Sequence, residues 1–135
     1  MKAFKTSLFR FPTLFLLILS VSIFTSCSSS KRASKTVIYK KKAIAVYYHD
    51  KYNGKPTASG ELFSNSKYTA AHKTLPFGTQ LRVTNLQNNK STQVKVNDRG
   101  PFTKGRDLDL TKKAFMDITD NKNKGLLDVK IEIVK

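Results

Sequence analysis

Apolar and polar positions alternate most cleanly at the end of the chain, where Leu127, Val129, Ile131 and Ile133 alternate with Asp128, Lys130 and Glu132. A period of two sends successive side chains to opposite faces, so this run predicts a half-buried strand. Leu81 and Val83 alternate with Arg82 and Thr84 in the same way. Asn88-Asn89 then supplies a hairpin turn into a partner strand over Gln93-Val94-Lys95-Val96. Ile44 to Tyr48 is a further strand candidate, ended by the turn residues Asn53-Gly54-Lys55-Pro56. One segment breaks the period of two: Ala114, Phe115 and Ile118 share one helical face behind Thr111, which predicts a short helix capped by Thr111. Short strands, frequent turns and one brief helix favour a mainly β fold, a small closed barrel.

Ahead of the first strand the pattern is that of export. Lys2, Lys5 and Arg10 precede an apolar run from Leu14 to Ile23, and small residues Thr25 and Ser26 then lead to Cys27. The run is shorter than the ~20 residues that span a bilayer, so residues 1–26 read as a cleaved signal peptide. Cys27 is the only cysteine, which excludes an intramolecular disulfide. Its place after Phe24-Thr25-Ser26 resembles a bacterial lipobox, with lipidation of Cys27 the expectation and a soluble exported product the alternative. Ser28 follows it, with no Asp to signal inner-membrane retention, so an outer-membrane anchor facing the periplasm is the favoured location. Residues 27–42 are rich in Ser and Lys and read as a flexible basic tether, leaving 43–135 as the folded domain.

Charge narrows the partner. The chain carries +16, and +13 once the signal is removed. Such a balance favours a polyanion. Export excludes nucleic acid, which leaves anionic lipid headgroups and the carboxylates of peptidoglycan; charge spread for solubility alone is the competing explanation.

Candidate chemistry sits in two turn-rich stretches, Thr57-Ala58-Ser59-Gly60-Glu61 running on to Thr69-Ala70-Ala71-His72, and Val96-Asn97-Asp98-Arg99-Gly100-Pro101. Alternation puts Val94, Val96 and Asp98 on one face and Lys95, Asn97 and Arg99 on the other. Asp98 then lies where an apolar face meets a turn, and partial desolvation there favours the protonated form that a general acid needs. A bulge at the strand end would instead bring Arg99 onto it, and a plain turn cap is the other role open to this Asp. Glu61 stands beside Gly60 in a loop, by itself an ordinary surface carboxylate; His72 follows small residues, where a lone histidine is more often structural, and its other open role is to hydrogen-bond Asp98 or Glu61. His49 and His72 lie far apart with no accompanying cysteine pattern, so neither a metal nor another cofactor is expected.

Both stretches resemble the rare lipoprotein A (RlpA-like) family of double-psi β-barrel proteins, over about Ile44 to Lys135. The resemblance implies a six-stranded double-psi β-barrel with one or two short helices. It implies a peptidoglycan lytic transglycosylase, monomeric, that leaves 1,6-anhydro-N-acetylmuramic acid ends during wall remodelling or septation. Asp98 takes the place of the family's proposed catalytic acid, with Glu61 and His72 at matching pocket positions. Tyr48, Ser64, Thr69, Asn97 and Arg99 are the expected substrate contacts. Active members tend to carry an Asp where this chain has Ser64, and many longer ones carry a glycan-binding sporulation-related repeat not found before Lys135. Both departures keep open the alternative of a non-catalytic wall-binding lipoprotein.

Overall fold

A computed structural model describes residues 34–135. Six strands run in chain order: β1 (Thr36–Tyr47), β2 (Thr69–Ala71), β3 (Gln80–Asn85), β4 (Ser91–Asp98), β5 (Leu108–Leu110) and β6 (Leu126–Val134). One helix, α1 (Lys112–Ile118), sits between β5 and β6, and a 3₁₀ turn spans Asp50–Tyr52. The strands close into a barrel in the order β1-β5-β2-β4-β3-β6. Two pairs, β1/β5 and β2/β4, are parallel, and the remaining neighbours are antiparallel. The fold is the mainly β, double-psi barrel that the sequence predicted.

The three alternating segments build most of the core. Leu81 and Val83, Val94 and Val96, and Leu127, Val129 and Ile131 all point inward and are fully buried. The predicted hairpin is present, with Leu81 opposite Val94 and Val83 opposite Thr92. Asn89 takes the positive φ (60°) that its tight turn requires. Helix α1 adds Ala114, Phe115 and Ile118 to the same cluster, as the helical spacing predicted. Burial of each such aliphatic side chain stabilises the fold by roughly 1.5–3 kcal/mol.

Two expectations need correction. Part of the predicted tether is not a tether: Thr36–Lys42 is the first half of β1, paired with Ile131–Val134 of β6 through two irregular steps. Long β6 would otherwise leave open backbone groups at its end, and Val37-Ile38-Tyr39 has the β-branched and aromatic character that suits pairing. Its lysines hide this because they occupy exposed positions. Thr111 stands at the N-cap of α1 but its hydroxyl donates to the Lys67 carbonyl instead. Asn65 does the capping, its Oδ1 accepting from the Lys112 amide at 2.9 Å and its carbonyl from the Lys113 amide at 3.0 Å. A buried loop asparagine thus satisfies helix amides that no local residue reaches. The signal peptide and Cys27 lie outside the described residues.

Candidate active site

The Thr57–Glu61 stretch forms a tight turn docked on the end of β4. The Gly60 amide donates to the Thr57 carbonyl (2.9 Å), with Gly60 at φ 88°, and the Thr57 amide donates to the Glu61 carbonyl (2.8 Å). The turn gives two amides to β4: Ser59 to the Asn97 carbonyl at 3.2 Å, and Ala58 to Asp98 Oδ1 at 2.9 Å. The two motifs of the sequence therefore meet in space.

At this junction β4 bulges. Ala70 of β2 faces Val96 and Ala71 faces Asp98, so Asn97 is the extra residue. The alternation read from the sequence fails here: Asn97 is 3% exposed, with its side-chain amide on Glu61, while Asp98 pairs with Ala71 rather than following Val96 and is half-buried. Asp98 Oδ1 accepts from the Ala58 and Arg99 amides, the latter at 2.8 Å, and Oδ2 from the Tyr48 hydroxyl at 2.8 Å. These three hydrogen bonds tie Asp98 to the Thr57–Glu61 turn, to its own neighbour Arg99 and to Tyr48. Asp98 thus includes the turn-capping role left open above. The bulge does not bring the Arg99 guanidinium onto it. That group donates to the carbonyls of Leu75 (2.9 Å) and His72 (3.3 Å) and lies 3.8 Å over the Phe77 ring.

The remaining expected site residues divide sharply. Glu61 accepts from Lys95 Nζ (2.6 Å) and Asn97 Nδ2 (3.0 Å), and these bonds, Lys95 first, hold its carboxyl below the usual range. Asn97 is thereby a clamp on Glu61. Thr69 is buried within β2. His72 is 6% exposed, and its Nδ1 accepts from the Thr74 (3.1 Å) and Leu75 (3.0 Å) amides. Its ring packs edge-on against Tyr39 and makes no hydrogen bond to Asp98 or Glu61 among the described residues. Burial, then the neighbouring Arg99, pushes His72 below the normal histidine pKa. Ser64 lines a separate opening of about 770 Å³ with Lys67, Lys112 and Met116, and its hydroxyl pairs with that of Ser66 at 2.7 Å.

Asp109 is the group that sequence reasoning missed. It sits between Leu108 and Leu110, both fully buried inward, so the strand period turns Asp109 the opposite way. There it helps to line a cleft of about 380 Å³ with Tyr48, Tyr52, Phe102 and Arg106. Among the described residues its Oδ1 is buried without a hydrogen-bond partner. Burial pushes its pKa up to about 6, Arg106 pulls the other way, and the nearby Asp98 charge adds to the rise. Tyr48 joins the two acids: its hydroxyl donates to Asp98 while its ring packs on Phe63 at 4.6 Å, and burial followed by the Asp98 bond raises its pKa. Gly100 packs behind this carboxyl in a backbone conformation that favours glycine. A side chain there would meet Asp109 Oδ2 at 3.7 Å, the Phe102 ring at 3.8 Å and Ala71 at 3.9 Å, on a backbone with φ 126°. The arrangement can give up a proton near neutral pH from Asp109 and keep a hydrogen-bonded carboxylate beside it. The signal was the acid between two leucines in Leu108-Asp109-Leu110.

A family model described as lytic transglycolase matches residues 40–131. The chain belongs to this family. Among its relatives, the endolytic peptidoglycan transglycosylase RlpA of Pasteurella multocida is 49% identical over 90 residues, covering 67% of this chain and 30% of that protein. The probable endolytic peptidoglycan transglycosylase RlpA of Treponema pallidum is 49% identical over 87 residues, covering 64% and 27%. The chain therefore spans only about a third of the length of these lytic transglycolase relatives. In architecture it is similar to the apo expansin of Clavibacter michiganensis (TM-score 0.57, 20% identity, 75% of this chain and 51% of that one). It is also similar to a Streptomyces papain inhibitor (TM-score 0.56, 20% identity, 75% and 96%). These two share the fold, and a fold shared by an expansin and a protease inhibitor does not choose a chemistry.

Proposed function

We propose that this chain is a peptidoglycan lytic transglycosylase that cleaves the bond between N-acetylmuramic acid and N-acetylglucosamine and leaves a 1,6-anhydro end. The observation that carries the reading is Asp109, a cleft carboxyl with one buried, unpartnered oxygen and a pKa of about 6. Its protonated form gives its proton to the glycosidic oxygen as the bond from C1 of the muramyl sugar breaks. The C6 hydroxyl of the same sugar then bonds to C1 and returns its proton to the Asp109 carboxylate. Water is not consumed, and one carboxyl serves as acid and then base.

Asp109, not Asp98, is the acid because Asp109 keeps a buried oxygen with no partner among the described residues, whereas both Asp98 oxygens already accept hydrogen bonds, from the Ala58 and Arg99 amides and the Tyr48 hydroxyl. Asp98 is the neighbouring charge that helps keep Asp109 protonated and anchors Tyr48 at the cleft wall. Glu61 and His72 become positioning residues: Glu61 ties the Thr57–Glu61 turn to Lys95 and Asn97, and His72 ties the turn after β2. Ser64 lines a different opening from the one that Asp109 lines, so an uncharged residue there does not bear on the proton that Asp109 gives. That weakens the wall-binding alternative.

The same reading places the protein in the bacterial envelope as a monomer, with residues 1–26 removed and Cys27 lipidated at the outer membrane. Because β1 begins at Thr36, nine residue steps separate Cys27 from the barrel.

The test is to digest sacculi with the full-length chain, expressed with its own leader and purified as processed, and to treat the products with borohydride. Anhydro ends resist reduction, whereas the ends left by a hydrolase are reduced. Reducible ends, or no soluble products, would refute the reading.

A further inference from the structure

Phe102 is the most exposed large apolar side chain described, 87% exposed, beside Pro101 on the rim of the Asp109 cleft. Folding gives such a side chain nothing, since its apolar area stays in water. Tyr52, 40% exposed, lines the same cleft from the 3₁₀ turn after β1. Phe102 and Asp109 line this one cleft, so one sugar residue seated in it can touch both. The rim is also cationic. Arg106 and Lys51 line it and form no ion pair among the described residues, where six lysines do pair with acids. Arg106 lies close enough to Asp109 to lower its pKa, yet beyond ion-pair distance.

Resting on the transglycosylase reading, we propose that Phe102 is the stacking platform for the sugar at the scissile bond, and that Arg106, helped by Lys51, recognises a carboxylate carried by that glycan. Phe102 holds any pyranose through its apolar face. Arg106 distinguishes an acidic glycan from a neutral one. Peptidoglycan offers this carboxylate from two sources, the sugar's own lactyl group and the attached peptide.

The test is direct binding, measured on Asp109→Asn protein (full-length, purified as processed) so that nothing is turned over. Three ligands are compared: a neutral N-acetylglucosamine oligosaccharide, peptide-free glycan strands, and peptide-bearing strands. An acidic ligand binds more tightly than the neutral one, and the preference shrinks as salt rises. Preference for the peptide-free strands assigns the lactyl carboxylate, and preference for the peptide-bearing strands alone assigns the peptide. Adding Phe102→Ala weakens binding of every glycan by about 2- to 10-fold. Adding Arg106→Gln removes the preference, about 3- to 10-fold, leaves the neutral ligand unchanged, and Arg106→Lys restores part of it. Both side chains are exposed, so thermal unfolding stays as in the parent. Binding without acidic preference in the parent, a preference that survives Arg106→Gln, or unchanged binding in Phe102→Ala each overturns the proposal. So does failure of the parent to bind any of the three. Expected binding with no anhydro ends from the unsubstituted protein would instead overturn the transglycosylase reading and leave this recognition standing.

Discussion

Asp109→Asn should make the protein more stable at neutral pH while removing its activity. Asp109 is raised from 3.8 to about 6, by burial first, against the pull of Arg106 and with the Asp98 charge adding to the rise. The folded state therefore holds this proton more tightly than the unfolded chain does. Below the unfolded value both states are protonated and no penalty exists. As pH climbs through about 6 the folded state must carry a desolvated charge, and the favourable contribution of the proton is lost. At ~1.36 kcal/mol per pKa unit the ceiling is about 3 kcal/mol, and solvent reaching this half-buried group reduces it to roughly 1–2 kcal/mol. Asparagine has nearly the same shape and no charge to bury. Its advantage should be absent near pH 4, grow between pH 4 and 6, and level off above. For a domain of this size, roughly 1–2 kcal/mol is a rise in Tm of about 5–10 °C. Thermal unfolding followed by circular dichroism at four pH values between 4 and 7.5 measures it. A difference that does not change with pH, or a Tm that falls at pH 7.5, would refute the claim that Asp109 carries a desolvated charge.

Turnover by the unsubstituted protein should decline as pH rises through about 6, because the acid must start protonated. Asp98→Asn removes a like charge and should move that limb to lower pH, read from kcat/KM profiles on soluble glycan. His72→Ala leaves the Thr74 and Leu75 amides without their acceptor and should cost about 1–3 kcal/mol in urea unfolding, with turnover per folded molecule retained. Loss of turnover without loss of stability would return His72 to the chemistry. Asn65→Ala uncaps α1 and frees the Tyr48 carbonyl and Asp50 from its side-chain amide, and should lower stability by about 1–3 kcal/mol in the same assay.

What the sequence displayed plainly was whatever depended on neighbours along the chain. The β3–β4 hairpin, β6 and the buried face of α1 follow from periodicity and turn residues alone, and the structure has them. Features set by distant contacts were hidden. The three lysines of Thr36–Lys42 mask its β-prone Val37-Ile38-Tyr39, whose pairing depends on distant β6, and nothing near Thr111 reveals that Asn65 will reach its helix. One extra residue at Asn97 reversed the faces at the most informative motif, because a bulge shifts every later side chain. The two motifs do meet in space, since the Thr57–Glu61 turn docks on Asp98. The division of labour inside it was not legible. Glu61, Asn97 and Arg99 are charged or polar residues already engaged by Lys95, by Glu61 and by main-chain carbonyls respectively. Asp109 looked like one acid in a short apolar strand, and only closure of the barrel gives it a buried oxygen beside a second carboxylate.

The most direct test of the central claim is to digest peptidoglycan in heavy-oxygen water with the unsubstituted protein and with Asp109→Asn, and to follow the muramyl ends by mass spectrometry. Unlabelled anhydro ends are expected from the first and at least a hundredfold fewer, about the lower end of general acid–base assistance, from the second. Solvent oxygen at C1 of the product, or undiminished anhydro ends from Asp109→Asn, would contradict it.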